Sequence, residues 1–218
     1  MIRPEKLQEI QAAIEYFKVV NDKILNNEGA SYLSVEVHKF TLNCGEVLIR
    51  EGVKKGRGNN SMASVIIPVT EDGTVILTIQ PRCFTRLTVG VDFPGGLVDA
   101  GEDFKTAAKR ELEEETGYYS DELIELGSYY PEDSLGPSFN TGFLALNCKK
   151  VKEQSLDPGE LIRYVEVNIE EVFDLQKMGY INGGGSQFLL SEAKPYLYEI
   201  LKTNSIIDNN AKTSQDNL

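Results

Sequence analysis

The stretch from Gly95 to Tyr118 reads GGLVDAGEDFKTAAKRELEEETGY and concentrates acidic side chains near its end. Glu111, Glu114 and Glu115 stand at positions i, i+3 and i+4, so on a helix they project from one face. Like charges at this spacing repel each other by about 0.2–0.5 kcal/mol per pair. An arginine, solvent or a hard cation must offset the repulsion, and these alternatives predict different functions.

The same stretch carries the signals of a helix that begins after Asp103 and ends before Gly117. Aspartate is a favoured N-cap residue, and glycine is the usual residue just beyond a helix C-terminus. We expect Arg110, which precedes the acidic cluster, to hold Glu102 or another carboxylate through a bidentate pair. One side of this helix is apolar or small at spacings of three and four: Phe104, Ala107, Ala108, Leu112 and Thr116.

A solvated acidic face is the ordinary interpretation of a run such as ELEEE, and it predicts no chemistry. The alternative is a divalent cation, because Mg²⁺ and Mn²⁺ prefer oxygen ligands and keep water or phosphate oxygens in their remaining positions. His38 is the single histidine, so neither a histidine-based metal site nor a Ser-His-Asp triad can be built from this chain. Catalysis would therefore depend on carboxylates, arginines or tyrosines.

The composition narrows the class of ligand. The chain has 218 residues, 41% of them apolar, and a formal net charge of −12, which disfavours binding to a long nucleic acid. A small phosphorylated molecule is compatible with that charge if a cation bridges it to the carboxylates.

No apolar run approaches about 18 residues, so we expect no membrane span, and the charged, periodic N-terminus differs from a signal peptide. Three scattered cysteines argue against a disulfide framework, and the expected compartment is the cytoplasm.

Hairpin signals dominate the chain and predict an α+β fold, a sandwich of mixed sheets flanked by helices. Residues 1–58 should form a helix ending near Asn26–Gly29 and a strand pair, together an expected dimerisation element. The main domain is predicted at 59–202, after a polar, glycine-rich linker at 54–61, and a polar, disordered tail at 203–218. The last helix should begin near Ser186 and bend or break before Pro195.

Counted from Gly96, the stretch consists of Gly, five residues, Glu102, seven residues, and the run from Arg110 to Tyr118. This pattern resembles the Nudix box, G-x5-E-x7-R-E-U-x-E-E-x-G-U, at every fixed position, although Tyr118 is aromatic where an aliphatic is commoner. The resemblance implies the Nudix α/β/α sandwich with an N-terminal extension. It also implies Mg²⁺-dependent hydrolysis, with Mn²⁺ as a substitute, of a nucleoside diphosphate linked to another group.

The resemblance further implies roles for the residues of the box. Glu111 and Glu115 would be the principal metal ligands, and Glu114 would assist them. A backbone carbonyl at Gly95 or Gly96 would complete the metal shell, with Gly95 also bordering the substrate. The two remaining catalytic residues would be Arg110, which holds carboxylates in register, and Glu102, which would bind a second ion through water or orient a ligand.

Outside the box, the chain resembles the ADP-ribose pyrophosphatase branch of the family over roughly residues 30–200. It carries strands near 32–50, the segment Gln80-Pro81-Arg82, and Gly179-Tyr180-Ile181-Asn182 before the last helix. This resemblance implies phosphate contacts by Arg82 and Arg50 and activation of water by Glu160, with Asp157 as the substitute. The alternatives are exposed loop and strand charges for the arginines, and turn chemistry within Asp157–Glu160 for the acids.

The chain departs from the ADP-ribose pyrophosphatase pattern at two points, and both affect the prediction that its substrate is ADP-ribose or a related nucleotide sugar. The stretch YYPEDSLGPSFN has Pro131 and Pro137 on either side of the place where the branch carries one proline, and the chain has no tryptophan. Hydrolysis of dinucleotide polyphosphates or modified nucleotides, a non-catalytic nucleotide-binding module, and an acidic scaffold helix without metal therefore stay as alternatives. Stacking on a nucleobase would have to use tyrosine or phenylalanine, and the candidates are Tyr32, Phe40, Tyr129, Tyr130 and Phe139.

Overall fold

The computed structural model describes residues 1–20, 33–55 and 62–215, and these residues form four helices and ten strands. The helices are α1 (Pro4–Phe17), α2 (Phe104–Thr116), α3 (Ile169–Lys177) and α4 (Gly184–Gln215). The strands are β1 (Leu33–Thr41), β2 (Val47–Lys55), β3 (Ala63–Thr70), β4 (Thr74–Pro81), β5 (Val89–Asp92), β6 (Gly95–Leu97), β7 (Tyr118–Tyr119), β8 (Glu122–Tyr129), β9 (Asn140–Lys150) and β10 (Arg163–Asn168).

Eight strands form one mixed sheet in the order β10-β4-β3-β9-β7, with β5 paired to β4, β6 to β3 and β8 to β9. β3 and β9 run parallel, and the other pairings within this sheet are antiparallel. Parallel strands need a long connection, and the chain between β3 and β9 includes α2. The predicted α+β fold with a mixed sheet flanked by helices is confirmed.

Both faces of the sheet are covered by helices. Successive residues of a strand point to opposite faces, so Ile66 and Ile67 of β3 belong to different hydrophobic clusters. The cluster around Ile66 includes Ala108 and Leu112 of α2. The cluster around Ile67 is larger and contains buried residues of the other three helices, among them Ile10, Leu175 and Leu189. The apolar stripe of α2 therefore fixes which of its sides packs on the sheet and which carries the glutamates.

The predicted ends of α2 are confirmed. The Asp103 side chain accepts a hydrogen bond from the Thr106 amide (2.8 Å) as the N-cap. Gly117 adopts left-handed backbone with φ of 73°, and its amide donates to the Glu113 carbonyl (2.9 Å). A side chain at Gly117 would be strained in this conformation and would also meet the Lys152 carbonyl.

β1 and β2 form a separate two-stranded antiparallel sheet, which precedes the main sheet in the chain. Every residue of β1 is exposed. The hairpin is held to the main domain through the loop before β9, where the Val53 amide donates to the Leu135 carbonyl (2.5 Å). The predicted strand pair in residues 1–58 is therefore present and lies outside the main sheet.

Two boundaries differ from the sequence predictions. α1 ends at Phe17, earlier than Asn26–Gly29, because Lys18 leaves helical backbone and the Val19 amide donates to the Thr88 hydroxyl (3.1 Å). Pro195 does not break α4, since the fully buried Ala193 and Leu197 on either side anchor the helix to the core.

Helical backbone continues to Gln215, across most of the segment 203–218 for which the composition predicts disorder. Of the predicted linker at 54–61, residues 56–61 lie outside the described residues. No helix in the described part of the chain is long and apolar enough to cross a membrane.

An ion pair between Arg3 and Glu171 fastens the start of α1 to α3 and yields a stability prediction. The Arg3 side chain and amide donate three hydrogen bonds of 2.7–2.8 Å to Glu171, whose side chain is 4% exposed. Burial opposes ionisation of this carboxylate, but hydrogen bonds from Arg3 and from the Asn168 amide together outweigh it and lower the pKa of Glu171 to about 2. The stabilisation is present above about pH 4.5 and is lost as the pH falls through about 2.

We therefore expect Arg3→Met to lower the free energy of unfolding at pH 7 by about 1.5–3 kcal/mol, measured by urea titration. The difference from the unsubstituted protein should shrink as the pH approaches 2. Lys6→Met, which breaks an exposed pair with Glu9, is the control and should cost less than about 0.5 kcal/mol. Equal effects of the two substitutions would contradict this account.

Candidate active site

The side chain of Arg110 lies at the centre of the acidic cluster. Its guanidinium donates to both oxygens of Glu102 (3.1 and 3.0 Å), to Glu111 (2.8 Å) and to Glu114 (3.0 Å). It also donates to the Leu97 carbonyl at the end of β6 (2.9 Å). These contacts raise the pKa of Arg110, and the hydrogen bonding to Glu102 contributes most. The same hydrogen bonding lowers the pKa of the Glu102 carboxyl. Arginine thus offsets part of the repulsion, and it brings together the box residues at both ends of the stretch.

Glu111 and Glu115 form the buried part of the cluster, with exposed fractions of 8% and 3%. Loss of solvent raises the pKa of Glu111 to about 7, although Arg110 opposes the shift. It raises the pKa of Glu115 to about 8, although the Gly95 amide donates to this carboxylate (2.9 Å). Repulsion from Glu114 and Glu160 adds to the raised pKa of Glu111, and repulsion from Glu111 and Glu160 adds to that of Glu115. Two adjacent carboxylates with pKa values near neutrality are a common feature of catalytic and metal-binding sites.

Close packing of the backbone explains the two glycines that precede the helix. A Cβ atom at Gly96 would overlap the Glu111 carboxylate, and one at Gly95 would overlap the Ser64 carbonyl on β3. β6 pairs with β3 at these positions, with Gly96 opposite Ser64 and Gly95 opposite Val65. The main chain of the two residues can therefore lie directly against the buried glutamates, which no larger residue would permit.

Glu160 belongs to the exposed loop between β9 and β10. Its charge contributes to the raised pKa of both Glu111 and Glu115, which places it on the same side of the domain as the buried pair. A turn joins it to Asp157: the Glu160 amide donates to the Asp157 carbonyl (3.0 Å), and its carboxylate accepts from the Asp157 amide (3.1 Å). Glu160 therefore forms the turn that was one of its two predicted roles, and it also lies near the acidic cluster.

The two predicted phosphate ligands occupy different places. Arg82 is exposed just after β4, and its charge counteracts the raised pKa of Glu115. Arg50 lies on the β1–β2 hairpin, where it donates to the Ile49 carbonyl (2.8 Å) rather than to the acidic cluster. It lines a cavity of about 660 Å³ between the hairpin and residues 133–137. The structure thus brings Arg82 towards the box residues, whereas Arg50 lines this separate cavity, which we call the hairpin cavity.

The stacking candidates divide in the same way. Phe40 lines the hairpin cavity and stacks on His38, with ring centroids 5.7 Å apart. Tyr130 packs edge-on against Phe139 at 5.0 Å, and Tyr129 packs against Phe188 at 5.4 Å. Tyr32 lies outside the described residues. Phe40 is thus the described candidate that borders the hairpin cavity, while the other three pack on aromatic neighbours of the main domain.

The buried carboxylates suit a hard divalent cation, although they do not form a complete set of metal ligands. No three acidic, histidine or cysteine side chains in the described part of the chain are already arranged around one point. Mg²⁺ is commonly held by only one or two carboxylates, with water and phosphate oxygens in its other positions. Glu111 and Glu115 could provide such a pair, and a cation there would hold both in the ionised form that burial disfavours.

Sequence reasoning missed the residues that fasten the Glu160 loop to α2, namely Lys150 and Gln154. Lys150 donates to the Thr116 carbonyl (3.0 Å), and Gln154 donates to the Glu115 carbonyl (2.5 Å). Both bonds join residues more than thirty positions apart, and in both the acceptor is a main-chain carbonyl. No local pattern of residue types could indicate such contacts.

The raised pKa values of Glu111 and Glu115 predict how stability depends on pH without metal. A group that binds its proton more tightly in the folded state stabilises the protein below about pH 4.5, and this contribution is lost as the pH rises through about 7 and 8. In the presence of EDTA, the Tm should therefore fall between pH 6 and 8.5. Glu115→Gln, which is neutral at every pH, should raise the Tm at pH 8.5 by roughly 3–6 °C, the equivalent of about one pKa unit.

The measurement is a thermal melt across this pH range. Glu113→Gln is the matched control, because it removes a carboxylate of the same helix that pairs with Lys152 outside the buried pair. A parallel decline of Tm for Glu115→Gln and the unsubstituted protein would show that Glu115 does not carry the predicted proton.

The comparisons with known proteins agree with this geometry. The NUDIX domain family model matches residues 60–184, which is more than half of the chain. An ADP-ribose pyrophosphatase of Bacillus subtilis is 32% identical over 114 residues, or 52% of this chain and 61% of the relative's length. A methanol dehydrogenase activator of Bacillus methanolicus is 25% identical over 164 residues, or 73% of this chain and 85% of that protein.

A solved structure supports the fold. The crystal structure of an ADP compounds hydrolase superposes with a TM-score of 0.65 at 22% identity, covering 84% of this chain and 91% of that chain. The order of strands, the position of α2 and the family match all point to one conclusion: the chain belongs to the Nudix family, and its similarity includes ADP-ribose pyrophosphatases.

Proposed function

We propose that the chain is a Mg²⁺-dependent hydrolase that cleaves the pyrophosphate of a nucleoside diphosphate linked to another group, with Mn²⁺ as a substitute metal. The substrate that we favour is ADP-ribose or a related nucleotide sugar, and the products are then AMP and a sugar phosphate. One observation carries the proposal: Glu111 and Glu115 are buried side by side against the backbone of Gly95 and Gly96, where burial disfavours their negative charges and a cation would stabilise them.

The relatives support the choice of substrate. The Bacillus subtilis relative is an ADP-ribose pyrophosphatase, and the solved structure is that of an ADP compounds hydrolase. Both names share the ADP moiety and a hydrolytic reaction. All four box residues are present: Arg110 donates to Glu111 and Glu114, and the buried Glu115 accepts from the Gly95 amide, which favours an enzyme over a module that only binds nucleotides.

Each residue of the cluster has a proposed role. Glu111 and Glu115 would hold the cation, Glu114 would assist, and the Gly96 carbonyl would complete the protein ligands. When bound, the cation supplies charge neutralisation at the phosphoryl oxygens and promotes ionisation of water. Arg110 keeps the carboxylates in register, and Glu102, whose pKa Arg110 lowers, stays ionised to orient a ligand or a second ion.

The reaction requires a proton acceptor and contacts to the phosphates. The oxygen of a water molecule attacks one phosphorus atom while the bond from that phosphorus to the bridging oxygen breaks. Glu160 would accept the proton of this water, with Asp157 as the substitute. Arg82, near Glu115, would bind a phosphate next to the metal, with Gly95 bordering the substrate. Arg50 would bind a phosphate only if its cavity adjoins the substrate in an assembly.

The test is phosphate release, coupled to phosphatase, from ADP-ribose, NADH, nucleotide sugars, dinucleoside polyphosphates and nucleoside triphosphates with Mg²⁺ or Mn²⁺. We expect ADP-ribose to exceed the other compounds by about tenfold or more in kcat/KM, which is about 1.4 kcal/mol. Preferred turnover of another compound would keep the reaction class and overturn the substrate. Binding of ADP-ribose without turnover of any compound would favour a nucleotide-binding module.

Substitutions test the residue roles. Glu115→Gln should lower kcat by at least about 100-fold, because the cation contributes several kcal/mol of charge stabilisation. Glu160→Gln should lower kcat by about 10²–10⁴-fold with little change in KM, as expected for a proton acceptor. Turnover comparable with that of the unsubstituted protein in either variant would refute the corresponding role, and unchanged kcat in Glu160→Gln would direct attention to Asp157.

We also propose a homodimer formed through the hairpin of residues 1–58, in the cytoplasm, where the three free cysteines would stay reduced. In the register of the hairpin, Thr41 lies opposite Val47 and Lys39 opposite Ile49, so Val35 and Val37 share a face with both apolar residues. Val35, Val37, Val47 and Ile49 are 47–69% exposed. A second copy would cover this face, while the main domain predicted at 59–202 would keep the core that it shares with α1.

The dimer proposal predicts that Val37→Glu combined with Ile49→Glu gives a monomer in sedimentation or light-scattering experiments. Charges inside a buried apolar face are unfavourable, whereas Ser34→Glu on the opposite face should leave the dimer intact. A monomeric unsubstituted protein at micromolar concentration would contradict the proposal.

A further inference from the structure

The C-terminal end of α2 is joined to a single segment of the chain, residues 150–155, which we call the docked segment. The last carbonyl groups of a helix have no partner within the helix, so they normally bind water or capping groups. Here four successive carbonyls accept from the docked segment: Glu114 from the Ser155 amide (2.9 Å), Glu115 from the Gln154 side chain (2.5 Å), Thr116 from Lys150 (3.0 Å), and Gly117 from the Val151 and Lys152 amides (2.9 and 3.2 Å).

Gln154 makes a second contact that the other members of the segment do not. Its side-chain nitrogen donates to the Ile162 carbonyl (3.4 Å) as well as to the Glu115 carbonyl. Ile162 is buried, with an exposed fraction of 6%, and directly precedes β10. The side-chain amide of Gln154 thus lies at the start of residues 156–161, binds the residue that follows their end, and joins both to the backbone of Glu115, a proposed metal ligand.

Residues 156–161, between these two attachment points, carry Glu160. This stretch is mostly exposed, and its internal hydrogen bonds are those of the turn between Asp157 and Glu160. It does not pack into either hydrophobic cluster. Its position relative to α2 therefore depends on how its two ends are held.

We propose that Gln154 is a positioning residue, which fixes the base of the Glu160 loop against Glu115 and so sets the distance from the Glu160 carboxylate to the metal-binding pair. The inference rests on the proposed function, in which Glu160 accepts a proton from water. A proton acceptor must lie within hydrogen-bond reach of that water, and a displacement of about 1 Å can reduce the rate about 100-fold.

The contact requires a side chain at position 154 that can donate two hydrogen bonds. Glutamine has two N–H groups on one nitrogen, so it can donate to two carbonyls at once, whereas a carboxylate could donate to neither. Lys150 also reaches the helix end, but its other partner is the Tyr164 hydroxyl on β10 rather than the base of the Glu160 loop. Gln154 alone among the described side chains of the docked segment joins Glu115 to Ile162.

The first test is a double-mutant cycle with Gln154→Met, which keeps the length of the side chain and removes its donors, and Glu160→Gln. Gln154→Met should lower kcat by about tenfold or more with KM changed less than about twofold, and it should cause no further loss in the Glu160→Gln background. Independent, multiplicative losses would show that Gln154 does not act through Glu160 and would overturn the proposal.

Lys152→Met provides the matched control. Its side chain joins the same segment to the same helix through Glu113 (2.9 Å), yet it lies outside the proposed path to Glu160. We expect this variant to keep the kcat of the unsubstituted protein. An equal loss of kcat in Lys152→Met and Gln154→Met would indicate general loosening of the segment and would contradict a specific role for Gln154.

Amide hydrogen exchange tests the attachment without substrate or metal. Exchange in residues 156–161 should be faster in Gln154→Met than in Lys152→Met, while exchange within α2 stays the same. Gln154→Ala, which also removes the bulk of the side chain, should show the same difference. Unchanged exchange in 156–161 would overturn the proposal even if the enzyme is active, and faster exchange would support the attachment even if no compound in the substrate panel is hydrolysed.

Discussion

The desolvation of Glu111 and Glu115 is the constraint on which the rest of the site depends. Two carboxylates with exposed fractions of 8% and 3% lie beside each other, and burial makes their ionised forms unfavourable. Arg110 offsets the charge of Glu111, and the Gly95 amide offsets part of the charge of Glu115. The remaining unfavourable charge explains why an acidic helix face can become a cation site rather than a solvated surface.

The fold supports this constraint from three directions. The apolar stripe of α2 packs on β3 and β9, which turns the glutamates towards β6. β6 pairs with β3 through two glycines whose lack of side chains lets the backbone meet the carboxylates. The docked segment donates hydrogen bonds to the carbonyls at the end of α2 and leads directly into residues 156–161, which carry Glu160. The position of β6 and the docking of residues 150–155 on α2 thus depend on backbone contacts between distant parts of the chain.

Local signals predicted the parts of the site that local chemistry controls. Asp103 and Gly117 gave the ends of α2, and the spacing of Glu111 and Glu115 gave their shared face. The sequence could not predict the parallel pairing of β3 with β9, the early end of α1 at Phe17, or the contacts of Gln154, because each depends on residues distant in the chain. Pro195 is a further example: proline locally predicts the end of a helix, but α4 continues through it because the helix is buried on both sides of this residue.

The most direct test of the central claim is a titration with Mn²⁺ followed by electron paramagnetic resonance, which measures the free ion. The unsubstituted protein should remove Mn²⁺ from solution, and Mg²⁺ should compete for the same site. Glu111→Gln and Glu115→Gln should each weaken binding, whereas Glu113→Gln on the same helix should not. Equal Mn²⁺ binding by all four proteins would contradict the account and would return the acidic face of α2 to the role of a solvated surface.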